Sequence, residues 1–153
     1  MKKQAYKRVL WWGLFAIWLT LTVYLSSQNG VGSSSLSMRI SKTLWNGIRS
    51  AFGIHFLPMH FITFHYLVRK AAHFTVHFLL AFFLVRASCW TFQSRKTAMI
   101  FAWSAAAVIS MIDEALQLGA PGRFSAVFDA GLNVSGAVFG SFFSSLLGPK
   151  NLK

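Results

Sequence analysis

The sequence predicts an all-α membrane protein: four transmembrane helices, with an interfacial amphipathic helix between the first and the second. Three observations lead there. The chain is 55% hydrophobic and 16% aromatic but only 12% charged, too apolar for an ordinary soluble domain. Four apolar stretches approach the roughly 20 residues that a helix needs to cross a bilayer core. The basic residues behind the net charge of +12 flank these stretches instead of forming a stripe on a polar surface, which argues against nucleic acid as a partner. At 153 residues the chain is expected to form a single domain, 1–153.

The first span runs from about Val9 to Leu25, after Lys2, Lys3, Lys7 and Arg8. Trp11, Trp12 and Trp18 make it bulky and no A-x-A-like site follows, so it is expected as a retained helix and not a signal peptide. Ser26 to Ser35 is polar and reads as flexible. Beyond it Leu36, Ile40, Leu44, Ile48 and Phe52 recur every fourth residue, with Arg39, Lys42, Asn46 and Arg49 largely opposite. That is an amphipathic helix over about 36–52, suited to the headgroup region, with simple packing on the other spans as the alternative. His55, His60 and His65 follow at steps that share no helix face and are expected as interfacial ring contacts.

The second span covers about 67–85, the third about 98–118 and the fourth about 127–147. Gly136-x-x-x-Gly140 offers the fourth a small-residue face for close packing. Cys89, the one cysteine, excludes an intrachain disulfide and is expected as an apolar filler. With the N-terminus inside, the inner segments carry Lys2, Lys3, Lys7, Arg8, Arg86, Arg95, Lys96, Lys150 and Lys153. The outer cations are mostly spread over one long loop, so both termini are expected in the cytoplasm.

The acidic residues point to a site. The chain has only three, Asp113, Glu114 and Asp129, all within membrane-length apolar sequence, where a carboxylate is costly. Alternating helices bring the end of the first span, the start of the second, the end of the third and the start of the fourth to one face. Those places hold Ser26-Ser27-Gln28, then Arg69, Lys70 and His73, then Asp113, Glu114 and Gln117, then Arg123, Asp129 and Asn133. Arg69, His73 and His77 stack along one stripe, as do Asp113 with Gln117 and Asp129 with Asn133. Asp113 lies about six residues before Gly119, roughly 9 Å below the helix end. Pairing with Arg69, Lys70 and Arg123 is expected to offset its burial.

This ordered set resembles the VanZ-like family: Ser-Ser-Gln after the first span, Arg69-Lys70-x-x-His73-Phe74, Asp113-Glu114-x-x-Gln117, Gly122-Arg123 and Asp129-x-x-x-Asn133-x-x-Gly136-x-x-x-Gly140. The match covers nearly the whole chain. Members are small bacterial membrane proteins, and the founding member is associated with resistance to the lipid-tailed glycopeptide teicoplanin. In the family an acidic and an aromatic residue commonly follow the first His, where this chain has Val76 and His77. The resemblance implies a multi-pass protein of the bacterial cytoplasmic membrane and cell envelope. It supplies no reaction.

Several functions fit the cluster. In the first, Arg69, Lys70 and Arg123 hold an anionic headgroup, with Gln117, Asp129 and Asn133 completing the binding set. Phe74, Phe78 and Phe124 then wall the tail of a lipid-like or lipid-tailed ligand. In the second, the chain is a hydrolase or transferase: His73 or Glu114 is the general base, Asp113 orients the His, Arg123 stabilises an oxyanion, and Ser26 or Ser27 is a conceivable nucleophile. A metal on His73 and His77 with Asp113 or Glu114 has ligand spacing, but no resident metal or cofactor is expected. A proton pathway would need polar positions in the other half of each span. A purely structural role for the polar residues as helix glue is the remaining reading; such contacts average under about 1 kcal/mol each.

Overall fold

A computed structural model of the protein describes residues 2–53, 56, 58–122 and 127–147. Among the described residues the chain is entirely helical: α1 (Lys2–Ser27), α2 (Gly30–Phe52), α3 (Phe61–Cys89), α4 (Arg95–Gly119) and α5 (Val127–Leu146). Within α1, α3 and α4 three segments, Lys3–Ser27, Phe61–Cys89 and Arg95–Gly119, are long and apolar enough to cross a membrane. Large apolar side chains on the outside, such as Val9, Ile17, Trp103, Met111 and Val138, form a surface that suits lipid and not water.

The α3 helix is central and touches all four others. Its deep half supplies Leu80, Ala81, Leu84 and Val85 to the core, against Ala98, Ala102 and Ala106 of α4 and Phe15 of α1. The alanines recur at every fourth residue, a shallow stripe on which the larger α3 side chains can seat. Cys89 is buried and free at the end of α3. On the α5 side the backbones come closer still. A Cβ on Gly136 would sit 2.3 Å from the carbonyl oxygen of Phe74, and one on Gly140 would sit 2.0 Å from that of Phe78. Ser144, one turn on, donates its hydroxyl to the Phe82 carbonyl at 2.9 Å. The stripe Gly136, Gly140, Ser144 thus lies along the carbonyls of Phe74, Phe78 and Phe82, the close approach that small residues permit.

Two boundaries that differ from the expectation shape the surroundings of the site. The polar stretch expected as flexible is mostly helix, since α2 begins at Gly30 and not at 36. The Asn29 side chain accepts from the Gly32 amide at 2.8 Å, which caps the helix. The Ser35 and Ser37 hydroxyls return to the Gly32 and Ser34 carbonyls, so serines that favour loops are satisfied within the helix. Gly30 is required there: its amide donates to the Pro121 carbonyl at 2.9 Å, and a Cβ would lie 2.0 Å from the Gly122 oxygen.

The α3 helix likewise starts at Phe61, six residues before the expected span, after an extended His60 (φ −73°, ψ 148°). Its first turns carry α2: Trp45 packs on Phe61 and Phe64 with ring centroids 5.6 and 5.1 Å apart. Buried Ser41 hydrogen-bonds His65 Nδ1 at 2.9 Å. His65 is therefore half-buried between α2 and α3 and stacked on the Phe61 ring, whereas His60 is exposed. His55 lies outside the described residues. The α2 face turned to α3 is Ser41 and Trp45, while Leu36, Ile40, Leu44 and Phe52 remain exposed. The apolar stripe is thus not what binds α2 to the bundle.

Candidate functional site

Asp113 is only 4% exposed, and its carboxylate is where four helices meet. The Ser26 hydroxyl of α1 donates to Oδ1. Oδ2 faces His77 Nε2 of α3 at 3.1 Å, accepts from Gln117 Nε2 one turn along α4 at 2.8 Å, and has Asn133 Nδ2 of α5 at a long 3.5 Å. On the far side of the imidazole, Ser110 Oγ lies 3.2 Å from His77 Nδ1. Each ring nitrogen of His77 thus has one partner on α4, Asp113 on one side and Ser110 on the other. Buried polar groups need such partners, and Ser26, His77, Gln117 and Asn133 supply them to this carboxylate from four helices.

The second acid, Glu114, accepts from Asn133 Nδ2 at 3.0 Å, so one amide spans both carboxylates. The third, Asp129, forms an ion pair with Lys70, whose ammonium also lies 5.1 Å from the Tyr66 ring. Arg69, Lys70 and Arg123 were expected to pair with Asp113; Lys70 pairs with Asp129 instead, and Arg123 lies outside the described residues.

Beside Asp113 is a partly open cleft with about 180 Å³ of room. Its polar lining includes Ser26, Arg69, His73, His77, Asp113 and Gln117. Leu25, Leu36, Ile40, Val68, Ala72 and Val76 supply apolar walls from α1, α2 and α3. Arg69 is half-buried, and among the described residues it makes no hydrogen bond or ion pair. The cleft therefore combines an unpaired guanidinium with an apolar trough, the chemistry of an anionic amphiphile site.

Of the residues expected at the site, Arg69, His73, Asp113 and Gln117 line this cleft. Glu114 and Asn133 stand behind Asp113, and Lys70 and Asp129 form a separate pair. Arg123 and Phe124 lie outside the described residues. Two corrections follow. Asp113 was expected to orient His73, but it contacts His77, one turn deeper on α3. Phe74 and Phe78 were expected to wall a tail; instead they pack at a tilt against Phe139 and Phe143 of α5, with centroids 5.9 Å apart in each pair, because the glycine stripe draws α5 onto that face.

Ser110 escaped the sequence reading, although its place three residues before Asp113 put it on the same helix face. Both ring nitrogens of His77 have partners, and among the described residues no group of three or more His, Cys, Asp or Glu is placed to hold a metal.

No curated protein and no solved structure matches this chain. A family model described as VanZ/LLP1 does, over residues 11–148. That range runs from α1 past the end of α5 and includes every helix that contributes to Asp113, so the chain belongs to the VanZ/LLP1 family.

Proposed function

We propose that the protein is a multi-pass component of the bacterial cytoplasmic membrane that recognises an anionic lipid-like or lipid-tailed molecule in the cleft beside Asp113. Half-buried Arg69, which has no hydrogen bond or ion pair among the described residues and lines a cleft with apolar walls, carries this reading. Arg69 holds the headgroup, with His73 and Gln117 as further polar contacts and Arg123 as a second cation. Leu25, Leu36, Ile40 and Val76 take the tail. Asp113 and Glu114 keep the four helices in register around the opening.

In this account α5 is the fourth span: at 20 residues it is roughly 30 Å long. The α2 helix lies in the headgroup region with Leu44 and Phe52 in lipid, the cleft opens on the extracytoplasmic side, and both termini are cytoplasmic. Such a protein contributes to tolerance of teicoplanin-type glycopeptides by engaging an envelope lipid or the drug's own tail.

Binding of dodecyl phosphate by the purified protein tests the assignment. Charge-assisted hydrogen bonds of about 1.5–3 kcal/mol translate to a loss of roughly tenfold to a hundredfold in affinity for Arg69→Gln. Lys42→Gln, on the exposed face of α2, should bind as wild type. Equal affinity in the Arg69 variant would remove the headgroup role.

One observation favours a second reading, hydrolysis or group transfer on a lipid-linked substrate. Ser26, Asp113 and His77 are hydrogen-bonded in series and all line the cleft, which puts a hydroxyl, a carboxylate and an imidazole at one opening. Envelope lipids from cells with wild-type protein, Ser26→Ala protein and none separate the two readings. A lipid species that depends on Ser26 supports chemistry; identical lipid profiles with retained dodecyl phosphate binding rule it out.

A further inference from the structure

The far end of the bundle carries cations without acids. All three acids lie between positions 113 and 129, so no carboxylate side chain is available to Lys3, Lys7, Arg8, Arg86, Arg95 or Lys96. These cations come from the start of α1, the end of α3 and the start of α4, and the fold draws them together. Arg86 donates to the Leu147 carbonyl and Arg95 to the Ser145 carbonyl at 3.0 Å, so both guanidinium groups sit on the end of α5. Cations there oppose the helix dipole and occupy its free carbonyls.

The start of α1 is held at the same place. The Arg86 guanidinium stands 4.7 Å from the Trp11 ring and the Lys7 ammonium 4.7 Å from the Trp90 ring, while Trp12 Nε1 donates to Thr91 Oγ1 at 2.8 Å. All these partners are neutral. They fix the cations without cancelling their charge, and Lys7, Arg8, Arg95 and Lys96 are exposed.

We propose that this end is a binding site for the headgroup of an anionic diacyl phospholipid. Its phosphate sits among Lys7, Arg95 and Lys96, and its acyl chains run down the outer faces of α1 and α4. Three observations select a phospholipid over a soluble anion. Indole rings of Trp11, Trp12 and Trp90 mark the depth at which aromatic residues meet headgroups. Large apolar side chains continue from the cations along the exposed surface, Val9 on α1 and Ile100 and Phe101 on α4. Several fixed cations without a carboxylate attract an anionic leaflet, with an effect near the surface that grows with each Lys or Arg. The site is distinct from the Asp113 cleft and does not depend on what that cleft binds.

Native mass spectrometry of the purified full chain, incubated with equal phosphatidylglycerol and phosphatidylcholine of the same acyl composition, tests this. Wild type should retain phosphatidylglycerol in preference by about tenfold. Lys7→Gln with Lys96→Gln, both exposed and away from the core, should abolish the preference. Arg39→Gln with Lys42→Gln removes the same charge from α2 and should preserve it. No preference in wild type, or equal behaviour of the two double variants, would overturn the proposal. Inorganic phosphate at millimolar concentration should not displace the lipid; displacement would show that the site takes free phosphate instead.

Discussion

Asp113→Ala should be the most damaging polar substitution in the chain. Removing this carboxylate leaves the donors of Ser26, His77 and Gln117 in a buried place without their common acceptor, and it releases α1, α3 and α4 from one another. Breaking a buried charged partnership costs about 3–5 kcal/mol. For a chain of this size that corresponds to a fall of roughly 10 °C or more in the unfolding midpoint of the detergent-solubilised protein. Asp113→Asn keeps one oxygen acceptor and should fall by less. Because His77 is held by this carboxylate, His77→Leu should add little in the Asp113→Ala background, the signature of a shared interaction. A midpoint within about 2 °C of wild type for Asp113→Ala would mean that the carboxylate organises nothing.

Gly140→Leu is expected to be as severe for a different reason. Even a single carbon there would lie 2.0 Å from the Phe78 carbonyl oxygen, a backbone atom that cannot turn aside. The two helices must separate, which loosens the neighbouring Gly136 contact and pulls Ser144 from the Phe82 carbonyl. Overpacking costs about 1–3 kcal/mol and occasionally more, and a clash with backbone belongs at the upper end, read as a lower midpoint in the same unfolding assay. Gly13→Leu is the control, since nothing lies within 4 Å of a Cβ there. Equal midpoints for the two variants would show that α3 and α5 do not depend on this stripe.

Much of this arrangement was legible in the residues. Helix alternation alone brings the ends carrying Ser26, Arg69, Asp113 and Asn133 to one face, and the rarity of acids marks Asp113 as worth its burial. The Gly136–Gly140 spacing announced a close helix contact, and the structure supplies its partner, the carbonyls of Phe74 and Phe78.

What spacing does not encode is the rotation of one helix against the next. Phe74 and Phe78 share a face on α3, but whether that face meets a ligand or α5 depends on where α5 settles. Depth explains the reassignment from His73 to His77. Asp113 lies roughly 9 Å below its helix end; seven residues beyond Lys70, at roughly 10 Å, the α3 stripe reaches His77, whereas His73 is only about 4–5 Å down. The information was present in the rise per residue. Lys70 and Asp129, by contrast, pair because both sit near the surface end of α3 and α5, a match of levels that a charge count cannot assign. The early start of α2 turned on one local cap, Asn29, within a serine-rich run that reads equally as loop.

Chemical labelling at Ala72, which lines the cleft and is exposed, tests the central claim most directly. In a Cys89→Ser, Ala72→Cys protein, a water-soluble thiol reagent should react readily, and dodecyl phosphate should slow the reaction in a saturable manner. Dodecyl maltoside, with the same tail and no charge, should not slow it, and Arg69→Gln should remove the protection. Labelling unaffected by dodecyl phosphate, or slowed equally with Arg69 and with Gln at position 69, would contradict an anionic amphiphile site at Arg69 beside Asp113.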